Sequence, residues 1–403
     1  MMLFKILKTK VLRQRAFVTL LVLAAFQILA ALPLPGLPHK AFSSPMFSLL
    51  NLTSGGGYTN LSLMALGVSP YITASIIVQM LSNGLVKRLT RYSQEGHVGV
   101  KKLNKLTKQL TILFALLQAP TLVFAFKQLG AFTDATHLTW ETYFVATCLV
   151  VAGAMVAMFM GDTLNKYGLG NGPSLLIAGN IMAQFPHTIK TIAQAFKSQT
   201  LTQQGLLASA TFIFGLLLIV WMNGVEKRLP LQHMRETTRT SKAGYLPIKL
   251  NPSGMVPVIF AGGVLSIATM VSQFNTPFTK ALKVLDLTNP IGLTVYATLT
   301  LLFGVTYSLI QMSPKKVTRH LQQSSTYIVG IELDATEGYL SRQIMHVGGV
   351  GAIFLTLIAI LPYLTKVQGY ISLISLLIVV GSLLEVTKQI GGISEKYTYE
   401  TTL

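Results

Sequence analysis

The sequence predicts an all-α polytopic membrane protein with ten transmembrane helices in two five-helix halves. Three observations predict it. Only 11% of the 403 residues are charged against 51% hydrophobic, whereas soluble domains carry roughly 25% charge; two or three soluble domains of this combined length would lack a solvated surface. Apolar runs near the ~20 residues needed to span a bilayer occur at about 16–33, 68–86, 109–126, 142–161, 173–189, 206–224, 255–273, 291–312, 347–364 and 370–387. The excess of 32 Lys and Arg over 13 Asp and Glu is gathered in alternate connecting segments, which is how a membrane protein records its orientation.

The first run follows Lys5, Lys8, Lys10, Arg13 and Arg15, the basic start of a secretory signal. It is long, no small-residue cleavage site follows it, and nine further runs do, so it reads as an uncleaved span. Next comes Phe47 to Gly67, too apolar for a free loop and too broken by Ser54-Gly55-Gly56-Gly57 and Asn60 for a span. Two readings stand: a short re-entrant helix folded into a covered cavity, or a loop lying on lipid headgroups. The seventh and ninth runs are rich in Gly, which membrane helices tolerate.

Three polar connections are long. Residues 86–108 carry Lys87, Arg88, Arg91, Lys101, Lys102 and Lys105; residues 225–254 carry Lys227, Arg228, Arg235, Arg239, Lys242 and Lys249; residues 314–346 carry Lys315, Lys316, Arg319 and Arg342. With a cytoplasmic N-terminus, 25 of the 32 cations fall on the cytoplasmic side, against Lys40, Lys127, Lys190, Lys197, Lys280, Lys283 and Lys366 outside. That asymmetry places both termini in the cytoplasm and brings anionic lipids within reach of the basic loops. The bland reading of these loops is solvated topology signals; the functional one is a docking face for a large soluble partner, since long loops usually have a job.

Five runs fall within residues 1–205 and five within 206–403, giving an N-terminal half and a C-terminal half with the 225–254 connection inside the second. The second run of one half contains Pro70-Tyr71-Ile72-Thr73-Ala74, and the second run of the other Pro257-Val258-Ile259-Phe260-Ala261, both Pro-x-Ile-x-Ala. An odd number of spans per half inverts one against the other, and inverted repeats place a pathway at their interface.

The chemistry that is absent narrows the function. All 13 acidic residues lie in connections or at span ends, with Glu385 nearest the interior, and no Lys or Arg sits mid-span. Ion-coupled transporters and proton pumps keep such groups inside the membrane. There is no phosphate-binding loop and no zinc helix, and the seven His are scattered, so neither an enzyme nor a metal or other cofactor is expected. Ser174, in Gly172-Pro173-Ser174, has no His placed to activate it. Cys148, the single cysteine, excludes a disulfide framework and is expected to pack as a small hydrophobe. The chain reads as a conduit without its own engine.

Several stretches, in order along most of the chain, resemble the SecY family of protein-conducting channels. Leu66-Gly67-Val68-Ser69-Pro70-Tyr71-Ile72-Thr73-Ala74-Ser75-Ile76-Ile77 is similar to its second span, and Gln94-Glu95-Gly96 to its first large cytoplasmic loop. Tyr167-Gly168-Leu169-Gly170-Asn171-Gly172 resembles the turn that opens its fifth span. Tyr245-Leu246-Pro247-Ile248-Lys249-Leu250-Asn251 with Gly254-Met255-Val256-Pro257-Val258-Ile259-Phe260-Ala261 resembles the start of its seventh. Thr336-Glu337-Gly338-Tyr339-Leu340 and Leu376-Leu377-Ile378-Val379-Val380-Gly381 match late segments.

The resemblance implies a clamshell of two halves around an hourglass pore. The ring sealing its waist would be Val68, Ile72, Ile177, Ile181, Ile259 and Ile378; branched aliphatics offer water and ions no hydrogen bonds, so the constriction dewets. A plug helix would occupy about 47–60, with Phe47, Leu50 and Leu52 as its apolar body and Gly55, Gly56 and Gly57 as its hinge. A lateral gate between spans two and seven would include Ser75, Gln79, Gln118 and Ser266. Implied partners are a SecA-type motor ATPase, a SecE-type small membrane subunit, a SecG-type or accessory Sec subunit, and the translocating polypeptide. Motor docking would fall on Lys227, Arg228, Arg235, Arg239, Lys242, Lys315, Lys316, Arg319, Glu332 and Arg342.

Two departures from the family pattern stand out: Asn60 where an Arg usually follows the plug, and Glu332 where the last large loop tends to keep an Arg. A reversed charge at a docking contact changes partner choice. The expectation is therefore the accessory SecY of Gram-positive, streptococcal-type bacteria, with its own motor and serine-rich glycosylated adhesins as cargo. The alternatives are a housekeeping SecY channel for general secretion and membrane insertion, a small-solute facilitator, and a membrane-embedded insertase or scaffold.

Overall fold

The computed structural model describes residues 9–34, 62–128, 139–197, 202–233, 244–271, 284–285, 287, 289–364 and 373–402. Its helices are α1 (Lys10–Ala31), α2 (Ser69–Met80), α3 (Lys87–Gln94), α4 (His97–Gln128), α5 (Trp140–Tyr167), α6 (Gly172–Lys197), α7 (Thr202–Gly224), α8 (Val256–Val271), α9 (Pro290–Met312), α10 (Pro314–Gln323), α11 (Thr336–Leu364) and α12 (Leu373–Thr402). A π-helical turn over Leu81–Leu85, directly after α2, and strands β1 (Glu226–His233), β2 (Tyr245–Lys249) and β3 (Thr326–Ile328) complete the described elements. Each of the ten predicted runs falls on a helix: α1, α2, α4 to α9, α11 and α12.

Among the described residues, six helical stretches are long and apolar enough to cross a bilayer, on α1, α4, α5, α9 running into α10, α11 and α12. Shorter apolar segments lie on α6, α7 and α8. Their outward faces are apolar as well: Phe17, Leu20 and Ile28 on α1 and Ile213, Phe214 and Leu217 on α7 are exposed, as lipid rather than water requires. Cys148 is exposed on α5, contrary to the expectation that it packs inside; a lipid-facing position suits a small hydrophobe equally well.

Polar side chains inside the helices are satisfied locally. Thr111, Thr300, Ser308 and Thr356 donate to the carbonyl four residues back at 2.7 to 2.8 Å, so these four hydroxyls are not left bare in hydrocarbon. Small residues let helices approach. A Cβ added to Gly304 of α9 would come 2.7 Å from that of Ala352 on α11, and one added to Gly348 of α11 would come 2.7 Å from that of Ser308 on α9, the close contact that small residues permit between membrane helices.

The match between the two halves extends beyond Pro-x-Ile-x-Ala. Leu63, Gly67, Pro70, Ile72 and Ala74 align without a gap with Leu250, Gly254, Pro257, Ile259 and Ala261. Both glycines take positive φ, 50° and 62°, a conformation that disfavours other residues. Leu63 N donates to Leu32 O just past α1 (3.2 Å), and Leu250 N donates to Val225 O just past α7 (3.0 Å). The bridge Pro33↔Ser62 is the counterpart of the Glu226↔Lys249 pair that starts the β1–β2 ladder. Gly153 of α5 lies against the Leu63 carbonyl, and Gly351 of α11 against the Leu250 carbonyl, each so close that a Cβ would collide with the oxygen. The same arrangement of first helix, connection, second helix and fourth helix thus occurs twice.

The polar connections are more ordered than the sequence reading of loops allowed. Residues 86–108 form α3 and the first turns of α4. The segments 225–254 and 314–346 build one antiparallel sheet in the order β2-β1-β3, so the fold is not wholly α. Leu229 and Ile248 from the hairpin, Leu321 from α10, Ile328 from β3 and Leu340 and Ile344 from α11 form its apolar core. A strand buried on one face leaves its charged residues on the other, which is why hydropathy alone presents it as a polar loop. For the same reason α4, α11 and α12 overrun their predicted ends: hydropathy marks only the lipid-facing length of a helix, and these continue into water.

Candidate pore and lateral seam

The six predicted ring residues come from four helices and meet in one apolar cluster. Val68 caps α2 and Ile72 follows one turn later; Ile177 and Ile181 are one turn apart on α6, hence on one face; Ile259 is on α8 and Ile378 on α12. Val68, Ile177 and Ile378 are fully buried, Ile181 and Ile259 nearly so, and Ile72 is half-buried against them. Leu175, Leu265, Ile374 and Leu377 extend the same cluster.

The glycine-rich turn before α6 sets where Ile177 and Ile181 point. Gly170 has φ of 75°, and its N–H is hydrogen-bonded to Gln389 Oε1 of α12. Leu169 N donates to Thr19 Oγ1 of α1 at 3.0 Å, and Arg15 Nη1 reaches Gly168 O at 3.5 Å. Gly172 N donates to Asn165 Oδ1 at 2.7 Å, and a Cβ on Gly172 would strike the Gly161 carbonyl. Ser382 of α12 adds a bond to Ser174 O at 3.3 Å. These contacts join α6 to α1 and α12 along one side of the molecule.

On another side α2 faces α8 and α9. Gln79 Nε2 donates to Ser75 Oγ at 3.2 Å, so the structure brings these two predicted gate residues together. The Gln79 carbonyl, however, is engaged by Tyr307 Oη of α9 at 2.8 Å. Gln118 is half-buried on α4; Ser266 lies on α8 with its side chain outside the described residues. An apolar groove runs beside the Gln79–Tyr307 pair, walled by Ile76 and Met80 of α2, Pro257 and Phe260 of α8, and Phe303 and Ile310 of α9. The first turn of α2 is held differently: Tyr71 Oη donates to Asp162 Oδ1 at 3.3 Å, and Lys108 Nζ of α4 lies 2.5 Å from Asp162 Oδ2. The sequence reading missed Tyr307 and the Tyr71–Asp162–Lys108 group. The available signal was a phenol within an apolar helix, which needs a partner when buried.

The predicted plug, with Phe47, Leu50, Leu52, Gly55, Gly56 and Gly57, lies outside the described residues, as do Arg235, Arg239 and Lys242. The remaining docking candidates all sit on the sheet module. Lys227 Nζ donates to Gln343 Oε1 at 2.6 Å. Arg228 pairs with Glu226 at 2.9 Å and lies over the Tyr245 ring at 4.7 Å. Lys315 lies 4.0 Å from Glu337, while Lys316, Arg319, Glu332 and Arg342 are exposed. At the base of the hairpin, burial and the neighbouring Lys388 ammonium push the Lys249 pKa below its ordinary value, against the opposing pull of Glu385 and Glu226.

Residues 62–387 match the SecY family model. The protein translocase subunit SecY of Lactococcus lactis subsp. lactis is 31% identical over 97% of this chain and 95% of its own length. That of Streptococcus gordonii is 31% identical over 98% of each, and that of Mycoplasma pneumoniae 33% identical over 90% of this chain and 81% of its own. A solved protein-conducting channel superposes with a TM-score of 0.71 at 17% identity, covering 94% of this chain and 91% of that one. Sec61 in the canine ribosome-channel complex superposes at 0.67 and 16% with the same coverage; at these identities the likeness is one of fold. With most of its length matched by the family model, and curated relatives aligned nearly end to end, this chain belongs to the SecY family.

Proposed function

We propose that the chain is the central pore subunit of a protein-export translocon, passing unfolded secretory polypeptides across the cytoplasmic membrane. The observation that carries this reading is the meeting of Val68, Ile72, Ile177, Ile181, Ile259 and Ile378, from four helices, in one apolar cluster. Such a constriction excludes water and ions by dewetting, while an extended chain displaces the side chains without having to be bound by them. A channel of this kind is not an enzyme; the energy comes from a cytosolic SecA-type ATPase. The halves 1–205 and 206–403 act as two shells, clamped by a SecE-type subunit, with both termini and the sheet module facing the cytoplasm. The test replaces Cys148 by Ala, installs cysteines at Ile72 and Ile181, and stalls a secretory chain during export. Crosslinks from both positions are expected; none from either would sink the reading.

The accessory type of channel, dedicated to serine-rich glycosylated adhesins, is proposed from Glu332. It is exposed on the turn between β3 and α11, which Gly330 opens with φ of 81°, so its carboxylate is available to a docked motor. The housekeeping channel is equally compatible with the relatives found. Co-purification separates them: a dedicated second motor retained in detergent supports the accessory type, and equal activation by the housekeeping motor overturns it.

A further inference from the structure

We infer that Asp162 is a positioning residue for the proposed ring: by accepting a hydrogen bond from Tyr71 it fixes how α2 is rotated about its own axis, and so where Ile72 points. This deepens the channel reading and rests on it.

An apolar helix among apolar neighbours has little to fix its rotation, because hydrophobic contact is non-directional. The buried side of α2 is of this kind, with Ala74, Ile76 and Val78. Its other polar side chains do not tie it to its own half. Thr73 Oγ1 donates to Ser69 O at 3.1 Å and Gln79 Nε2 to Ser75 Oγ, both within α2, and the Gln79 carbonyl is taken by Tyr307 of the other half. Among the described residues, the one side-chain hydrogen bond from α2 to a helix of its own half is Tyr71 Oη to Asp162 Oδ1 of α5, at 3.3 Å. Asp162 is itself held in place. Its carboxylate is mostly buried and its other oxygen lies 2.5 Å from Lys108 Nζ of α4. Tyr143 Oη of α5 donates to Pro120 O of α4 at 2.7 Å, so the two helices that carry the acceptor and its counter-charge are joined a second time.

Tyr71 and Ile72 are consecutive, so their side chains leave the α2 axis about 100° apart and turn together. A rotation of about 20° moves a side-chain tip 5–6 Å from the axis by about 2 Å, and a gap of about 1 Å already forfeits up to half of a van der Waals contact. Ile72 is the ring candidate that packing holds least, being only half-buried. The second half of the chain shows what happens without the tie. The position matching Tyr71 is Val258, and the residue nine beyond Gly351, as Asp162 is nine beyond Gly153, is Ile360. There Val258, Ile259 and Ala261 are all buried, and packing alone sets the rotation of α8. The fold therefore does not require a carboxylate at this place. A charged pair at the ends of two apolar runs is costly to keep, and in the first half it supplies the direction that packing around Ile72 does not.

Tyr71→Phe, Asp162→Ala, their double variant and Asp162→Asn are compared in the full-length chain, with Tyr143→Phe as control; the control removes a bond between the same two helices without touching α2. The first readout is ion conductance in planar bilayers. The second needs no conduction: the rate at which a short bismaleimide bridges cysteines installed at Ile72 and Ile181 in the Cys148→Ala background. Losing a hydrogen bond of typical net strength shifts an equilibrium by a factor of about 2 to 12. Tyr71→Phe and Asp162→Ala should each raise leak by about that factor and change the bridging rate several-fold, with the double variant close to Asp162→Ala. Asp162→Asn, which keeps an acceptor for Tyr71, and Tyr143→Phe should stay near the wild type. Either readout unchanged in Tyr71→Phe, or equal leak in Tyr143→Phe, would overturn the positioning role. If leak nevertheless rises when Ile72, Ile181 and Ile259 are together replaced by Ser, the channel reading stands without it. No leak from that triple variant overturns the channel reading, and the sealing role of Asp162 with it.

Discussion

Gly351→Ala should destabilise the protein, and the same substitution two residues earlier should not. In an exposed helix Ala is favoured over Gly by about 0.8–1.0 kcal/mol. At Gly349 of α11 an added Cβ meets no atom within 4 Å, so Gly349→Ala should keep that gain. At Gly351 the Cβ would fall on the Leu250 carbonyl oxygen, well inside the roughly 3.3 Å at which carbon and carbonyl oxygen meet. Backbone on one side or the other must move by about 1 Å or more, and overpacking of this kind costs typically 1–3 kcal/mol. Steric cost and propensity gain have opposite signs, so the net loss is up to about 2 kcal/mol, and the gap between the two variants is about 1–3 kcal/mol. The segment that must give way, Leu250 to Gly254, leads directly into α8 and Ile259, so ion leak through the ring should rise in Gly351→Ala as well. Thermal inactivation in detergent, read as a rate because such unfolding is rarely reversible, provides the comparison. Equal inactivation rates for the two variants would refute the reasoning, since nothing but the contact with Leu250 distinguishes the two positions on this account.

Replacing Ile72, Ile181 and Ile259 together by Ser should raise single-channel ion leak in planar bilayers, because hydroxyls wet a constriction that branched aliphatics keep dry; an unchanged conductance would mean that these residues only pack. Asp162→Ala strips Tyr71 of its acceptor and Lys108 of its counter-charge and should cost about 1.5–3 kcal/mol, the range for hydrogen bonds to charged groups. Asp162→Asn keeps an acceptor for Tyr71 and should cost less, with thermal stability as the check. Lys249 has a lowered pKa in the folded chain, so the unfolded chain binds more protons between that value and the ordinary 10.5, and stability should rise with pH across the window. Lys249→Met removes that contribution, so the wild-type curve should gain on the variant as pH increases; parallel curves would contradict the lowered pKa of Lys249.

What could be read from the sequence follows from which forces act locally. Apolar runs and the charge bias come from the bilayer itself, which acts on every residue independently of its tertiary neighbours, so all ten runs located helices. The sheet module was hidden because β1 and β3, nearly a hundred residues apart, complete one another's ladder, and neither is apolar enough alone to be marked as a strand. Gln79 was named from the motif around Pro70, but its hydrogen-bond partner Tyr307 was not. Nothing near Tyr307 distinguishes it from Tyr296, eleven residues earlier on the same helix; only the fold decides which phenol meets an amide. The proposed ring residues came from family resemblance rather than from chemistry, since an isoleucine in a membrane helix looks the same whether it lines a pore or packs against lipid.

The two halves also show how one arrangement supports two roles. In the first, the strand-like contact after α1 is a single bridge, Pro33↔Ser62. In the second, the corresponding contact after α7 grows into the β1–β2 ladder and recruits β3, α10 and the start of α11. The conserved part, the backbone bond at Leu63 or Leu250 and the glycine closing over its carbonyl, holds the second helix of each half at a fixed height. Ile72 and Ile259, at equivalent positions in those helices, are thereby brought to the same cluster from opposite shells. Elaboration beyond that bond is free to differ, since the proposed ring would depend on the height of α2 and α8 and not on what the connection does in water. Lengthening the β1–β2 turn should therefore leave ion sealing intact, whereas breaking either glycine contact should not.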